Sequence, residues 1–154
     1  MITPRIQVFA LDAATGHVLW QYKYPTPRPG KPGGMTFLQN RGVAVGDGKV
    51  FFGTTDNFVV ALDQKTGAEQ WKVSVDDPRQ CGCDITAAPL VVKDKVIVGG
   101  TGGDAAHRGY LTAFYTKTGL SLIHILDGSG GRDAGQLVPR PLLGFARSER
   151  TLPE

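Results

Sequence analysis

Apolar residues recur along this chain in short β-branched or aromatic runs, cut by polar turns that contain glycine. The clearest series is "GVAV", "KVFFGT", "FVVAL" and "AEQWKVSV", separated by "GDG", "TDN" and "KTG". Runs of that length and composition, closed by residues that favour turns, predict four strands. No segment sustains an apolar stripe at helical spacing, so the chain reads as all-β. In "GDG" the glycines Gly46 and Gly48, and in "KTG" Gly67, are expected to supply the positive φ that tight turns need.

The same pattern recurs. "ALDAATGHVLW" ends at Trp20, "ALDQKTGAEQW" ends at Trp71, and "TAFYTKTGLSLI" places Ile123 where a third tryptophan would fall. The Thr-Gly pairs at Thr15-Gly16, Thr66-Gly67 and Thr118-Gly119 are spaced by 51 and 52 residues, the length of four short strands with their turns. A period of that size predicts the blades of a β-propeller. Two to three four-stranded antiparallel blades fit in the repeating part, too few to close a ring. Trp20 and Trp71 are expected to be packing wedges between neighbouring sheets.

The third unit departs from the second in one link. "AAPLVVKDKVIVGG" matches the second unit with Lys95, Val96 and Ile97 set against Lys49, Val50 and Phe51, but "TGGDAAHRG" replaces the short "TTDN". A long Gly-rich loop at the end of a rigid sheet is where function is usually carried. "GTGGDA" also fits a dinucleotide fingerprint, yet that fingerprint needs a helix to follow, and here "GYLTAFY" reads as strand.

Composition narrows the field. With 17 basic and 14 acidic residues the net charge is +3, and the basic residues are scattered, which gives no footprint for nucleic acid. No run is long enough for a membrane span, and "MITPRIQVFALD" lacks the order of a secretory signal. Cys81 and Cys83 alone make neither a disulfide framework nor a four-ligand zinc site. The stretch at 25–34, with four prolines and three glycines, is a connector between the first and second units.

Taken together, "NRGVAV", "ALDQKTGAEQW", "ITAAPLVVKDKVIVGG" and "GGDAAHRGYLTA" resemble the alcohol dehydrogenases that depend on pyrroloquinoline quinone (PQQ), quinoproteins built on an eight-bladed β-propeller. The likeness runs from about Val8 to Gly119 and covers some of the N-terminal blades. It implies that Arg41 reaches the quinone and that Thr86 contacts a cofactor carboxylate. It also implies that Thr101, Gly102 and Gly103 give polar and backbone contacts, and that Asp104, where the family usually has glutamate, ligates a metal. Calcium or a lanthanide would be that metal, since a hard cation takes carboxylate oxygens. The implied partners are a small-molecule alcohol and a cytochrome as electron acceptor, in the periplasm, with no nucleic acid and no transmembrane segment. The implied catalytic base belongs to a late blade, so the catalytic residues are not expected here and the piece alone is expected to be inactive. The alternative is a non-catalytic propeller scaffold of the outer-membrane assembly type, which needs neither the acidic Gly-rich loop nor the Arg41/Thr86 pair.

Two features depart from the family pattern. The adjacent cysteines that many members carry before Asn-Arg-Gly are Met35 and Thr36 here, and Cys81 and Cys83 are either a substitute bridge or two thiols near a loop. After Gly119 the repeat stops: Tyr115 stands where aspartate is expected, and residues 120–154 contain no lysine although eight precede them. Residues 1–119 are therefore read as the partial propeller and 120–154 as a frameshifted or foreign tail, poorly ordered beyond Leu126. His17 and His124 are expected to face solvent from strands, His107 to be a loop residue or to line the cofactor entrance, and Asp84 to be at the surface. Arg108 is read equally as ordering the loop or as solvated.

Overall fold

The computed structural model describes residues 1–3, 5–25, 40–76, 84–101 and 109–126, the last four by backbone alone. Every regular element among these residues is a strand, and no helix there is long and apolar enough to cross a membrane. The first sheet pairs β1 (Gln7–Leu11) with β2 (Val18–Lys23). The second runs in the order β3 (Ala44–Gly46), β4 (Lys49–Gly53), β5 (Phe58–Asp63), β6 (Glu69–Ser74). The third repeats this meander with β7 (Leu90–Val92), β8 (Lys95–Gly100), β9 (Tyr110–Tyr115) and β10 (Ser121–Leu126). All pairs are antiparallel, and the three described sheets form part of a propeller without closing a ring.

Strand β10 lies beyond the Gly119 limit drawn from the repeat. Its backbone pairs with β9 from Ser121↔Phe114 to Leu126↔Tyr110, with a register shift between Ser121 and Ile123. The same shift falls between Ala61 and Leu62 in the second sheet and between Ala10 and Leu11 in the first. Sheet pairing places this strand although the Asp and Trp of the motif are missing. Residues 127–154 lie outside the described residues.

Side-chain alternation explains the packing. On β4 and β5, Val50, Phe52, Val60 and Leu62 point to the first sheet, where they meet Ile6, Val8 and Tyr24. Their neighbours Phe51, Val59 and Ala61 point the other way and meet Ile85, Val96, Val98 and Phe114. A sheet buried on both faces reads as unbroken apolar sequence, which is why "KVFFG" and "FVVAL" lack polar alternation.

The repeated turns lock adjacent sheets together. In each unit the glycine N–H closes the turn on a residue four back: Gly16 on Asp12 (2.8 Å), Gly67 on Asp63 (2.9 Å) and Gly119 on Tyr115 (2.8 Å). Their φ values are 73°, 74° and 70°. Trp20 donates its indole N–H to Gln64 O at 3.0 Å and Trp71 donates to Thr116 O at 2.9 Å, so each tryptophan bridges to the turn of the following sheet. Both are the wedges expected from the repeat.

One glycine behaves otherwise than expected. In the β3–β4 hairpin the positive φ belongs to Asp47 (49°) and Gly48 (69°), not to Gly46. Gly46 is needed for space: a Cβ there would lie 2.6 Å from Val91 Cγ1 of the third sheet. His17 is exposed and immediately precedes β2. His124 lies on β10, its side chain outside the described residues.

Candidate functional site

Antiparallel pairing sorts the chain ends of the strands. The hairpins Gly46↔Lys49 and Val92↔Lys95 stand at one end of the second and third sheets. Arg41 just before β3, Thr54 just after β4, the segment Asp84 to Thr86 before β7, and Thr101 just after β8 therefore gather at the opposite end. Close packing joins the two sheets there. Ile85 donates its N–H to Thr54 O at 3.2 Å, and a Cβ on Gly53 would lie 2.1 Å from Ile85 Cγ2. Asn40 holds the approach to β3, its Nδ2 donating to Gly53 O at 2.9 Å while its Oδ1 accepts from Gly42 N at 2.9 Å.

Arg41 and Thr86 meet at this end. The Arg41 Nη1 donates to Thr86 Oγ1 at 2.7 Å, and the Arg41 main-chain N–H donates to Thr86 O at 2.9 Å. Thr86 is buried and Arg41 is exposed, so the pair offers a fixed hydroxyl beside a guanidinium that faces outward. Gly42 makes the approach possible: its φ is 147°, and a Cβ would come within 3.3 Å of Ala88 Cβ.

Thr101 joins the same end through a different partner. Its N–H donates to Asp84 O at 2.9 Å, and its hydroxyl lies 3.2 Å from that oxygen and donates to Asp84 Oδ1. Asp84, expected at the surface, is 3% exposed. Strand alternation, which would turn Asp84 outward, does not apply because Asp84 precedes β7 in an irregular segment.

Gly100 stands at the end of β8. A Cβ there would lie 2.0 Å from the Tyr110 ring, so this glycine makes room for a side chain of the protein. Tyr110 is 4% exposed and donates its hydroxyl to Asn57 Oδ1, and burial pushes its phenol up, with Asp76 and Asp84 adding to the shift. It therefore stays a neutral donor. Tyr110 opens strand β9, as the sequence predicts, against the helix a dinucleotide loop requires. Gly102, Gly103, Asp104, His107 and Arg108 lie outside the described residues, as do Met35, Thr36, Cys81 and Cys83. Among the described residues no group of three or more His, Cys, Asp or Glu side chains is placed to hold a metal.

The PQQ_2 family model, described as outer membrane protein assembly factor BamB, matches residues 2–133. The chain belongs to the PQQ quinoprotein family. It is 40% identical over 125 residues to a 1-butanol dehydrogenase (cytochrome c) of Thauera butanivorans, covering 80% of this chain and 18% of the relative. It is 44% identical over 118 residues to methanol dehydrogenase [cytochrome c] subunit 1 of Methylobacterium organophilum, covering 72% of this chain and 19% of the relative. Among solved structures, a quinohemoprotein alcohol dehydrogenase from Pseudomonas putida matches with a TM-score of 0.75 at 36% identity, over 81% of this chain and 18% of that one. A europium-containing methanol dehydrogenase matches with a TM-score of 0.70 at 38% identity, over 78% and 21%. This quinoprotein chain thus spans about a fifth of the length of the proteins it resembles.

Proposed function

We propose that this chain is part of a PQQ-dependent alcohol dehydrogenase and forms one side of its cofactor site. The observation that carries the reading is the Arg41–Thr86 contact of 2.7 Å. Because the Thr86 oxygen accepts from Arg41, the hydroxyl hydrogen remains to donate, and the guanidinium polarises it. A polarised hydroxyl beside a cation suits the carboxylates of a tricarboxylic quinone, for which charge-assisted hydrogen bonds are the strong ones. The donor set among the described residues fits the group.

Gly102 and Gly103 are proposed to bring backbone N–H groups to the cofactor and Asp104 to give a carboxylate oxygen to calcium or a lanthanide. The europium in the name of one structural neighbour supports a metal of that kind. When bound, the quinone supplies the two-electron acceptor and the metal the Lewis acid. The residues here hold and orient the cofactor. Relatives named for cytochrome c support electron transfer to a cytochrome, and the reading carries a periplasmic setting with it. The family model's description names an assembly scaffold, but relatives at about 40% identity are named as dehydrogenases, and a scaffold does not call for an outward-facing guanidinium beside a hydroxyl.

Titration of the full-length unloaded protein with PQQ at saturating calcium, followed by absorbance, tests the reading. Thr86→Val is expected to raise the Kd roughly 10- to 100-fold, the range of one hydrogen bond to a charged group, and Thr86→Ser to restore it. An unchanged Kd in Thr86→Val would count against the proposed site.

A further inference from the structure

A hydroxyl has one hydrogen to give. At Thr86 that hydrogen is left over, because Arg41 supplies the bond to its oxygen. At Thr101 it is spent on Asp84. The expectation that Thr101 donates to the quinone therefore meets an obstacle that Thr86 does not.

Asp84 is the unusual member of the pair. Its side chain is buried at 3% exposure, and a buried carboxylate needs donors to offset its lost hydration. The Thr101 hydroxyl is a donor to it, and the Asp84 carbonyl takes the Thr101 N–H at 2.9 Å, so side chain and main chain hold the same residue. Thr101 is the last described residue before the Gly-rich loop, and Asp84 stands two residues before Thr86. One buried acid thus ties the start of the loop to the segment that carries Thr86.

We propose that Asp84 is a positioning residue: it clamps Thr101, sets where the loop bearing Asp104 leaves β8, and engages the Thr101 hydroxyl so that it serves the clamp and not the cofactor. The proposal rests on the PQQ reading for its consequence, but the clamp has a signature of its own. In the unloaded full-length protein, Asp84→Ala and Thr101→Val are each expected to accelerate amide exchange in the peptide covering residues 100–110, while Asp84→Asn and Thr101→Ser, which keep an acceptor and a hydroxyl, leave it close to the parent.

A double-mutant cycle supplies the second arm. Calcium is titrated at saturating PQQ, with absorbance of the bound quinone as the readout. Asp84→Ala and Thr101→Val are each expected to raise the calcium concentration at half-saturation about 10-fold, and the double variant to be no worse than the worse single one. Additive losses would show that Asp84 and Thr101 act independently and would overturn the clamp, as would unchanged exchange in both single variants. Failure of the parent protein to bind PQQ, with exchange still governed by Asp84, removes the PQQ reading and leaves the clamp standing.

Discussion

Gly67 sits at φ +74° with the Trp20 ring across it, and a Cβ would lie 2.6 Å from the ring. Gly16 adopts the same turn at φ +73° with nothing within 4 Å. The pair separates two costs that a repeat sequence merges, left-handed backbone and tryptophan packing. Gly16→Ala is expected to cost about 1 kcal/mol from backbone alone. Gly67→Ala adds overlap with the indole and is expected to cost roughly 2–4 kcal/mol. Urea midpoints of the two variants check this; equal losses would mean that the indole yields freely. The same scale separates Thr86 from Thr101, two threonines whose hydroxyl oxygens have different partners: Thr86 accepts from Arg41 and Thr101 donates to Asp84. Sequence likeness treats both as cofactor donors, and only the partner of each oxygen tells them apart.

At the scale of the element, a carboxylate reinforces the turn between β5 and β6. Asp63 Oδ1 accepts from the Thr66 N–H at 2.8 Å, the Thr66 hydroxyl at 2.9 Å and the Lys65 N–H at 2.9 Å. These bonds hold its carboxyl below the ordinary value of 3.8, the Thr66 N–H first. A carboxyl depressed in the folded state stabilises above its unfolded pKa and loses that contribution as pH falls through the folded value. Melting temperature is therefore expected to fall as pH drops below about 4, and Asp63→Ala to make that fall shallower. A parallel fall in both proteins would contradict the assignment. The third unit keeps the turn with Tyr115 in place of aspartate, its Gly119 N–H still closing on Tyr115 O at 2.8 Å, so backbone geometry and not the acid defines the element. This is why the blades were legible: strand runs and Thr-Gly turns repeat in sequence. Gly46 and Asp84 were not, because what each touches, Val91 and Thr101, is set by the neighbouring sheet or a distant strand end.

At the scale of the molecule, the second sheet is covered on both faces while the third keeps apolar residues open on its far side. Leu90 is 60% exposed, Leu111 48% and Val92 44%, on strands whose other face is packed. A propeller blade left without a neighbour presents such a face. The proposed cofactor site stands at the junction of two sheets, where Arg41 from one reaches Thr86 of the other. Long-range order brought together residues 45 apart in sequence, with a main-chain and a side-chain bond between them. The family resemblance pointed to both residues; their contact, and the hydrogen it leaves on Thr86, needed coordinates.

A crystal structure of the full-length protein loaded with PQQ and calcium decides whether Thr86 serves the quinone. A quinone carboxylate is expected at hydrogen-bond distance, about 2.5–3.0 Å, from Thr86 Oγ1, with the Arg41 guanidinium beside it. A quinone bound away from this end of the sheets, with Thr86 still held by Arg41 alone, would contradict it.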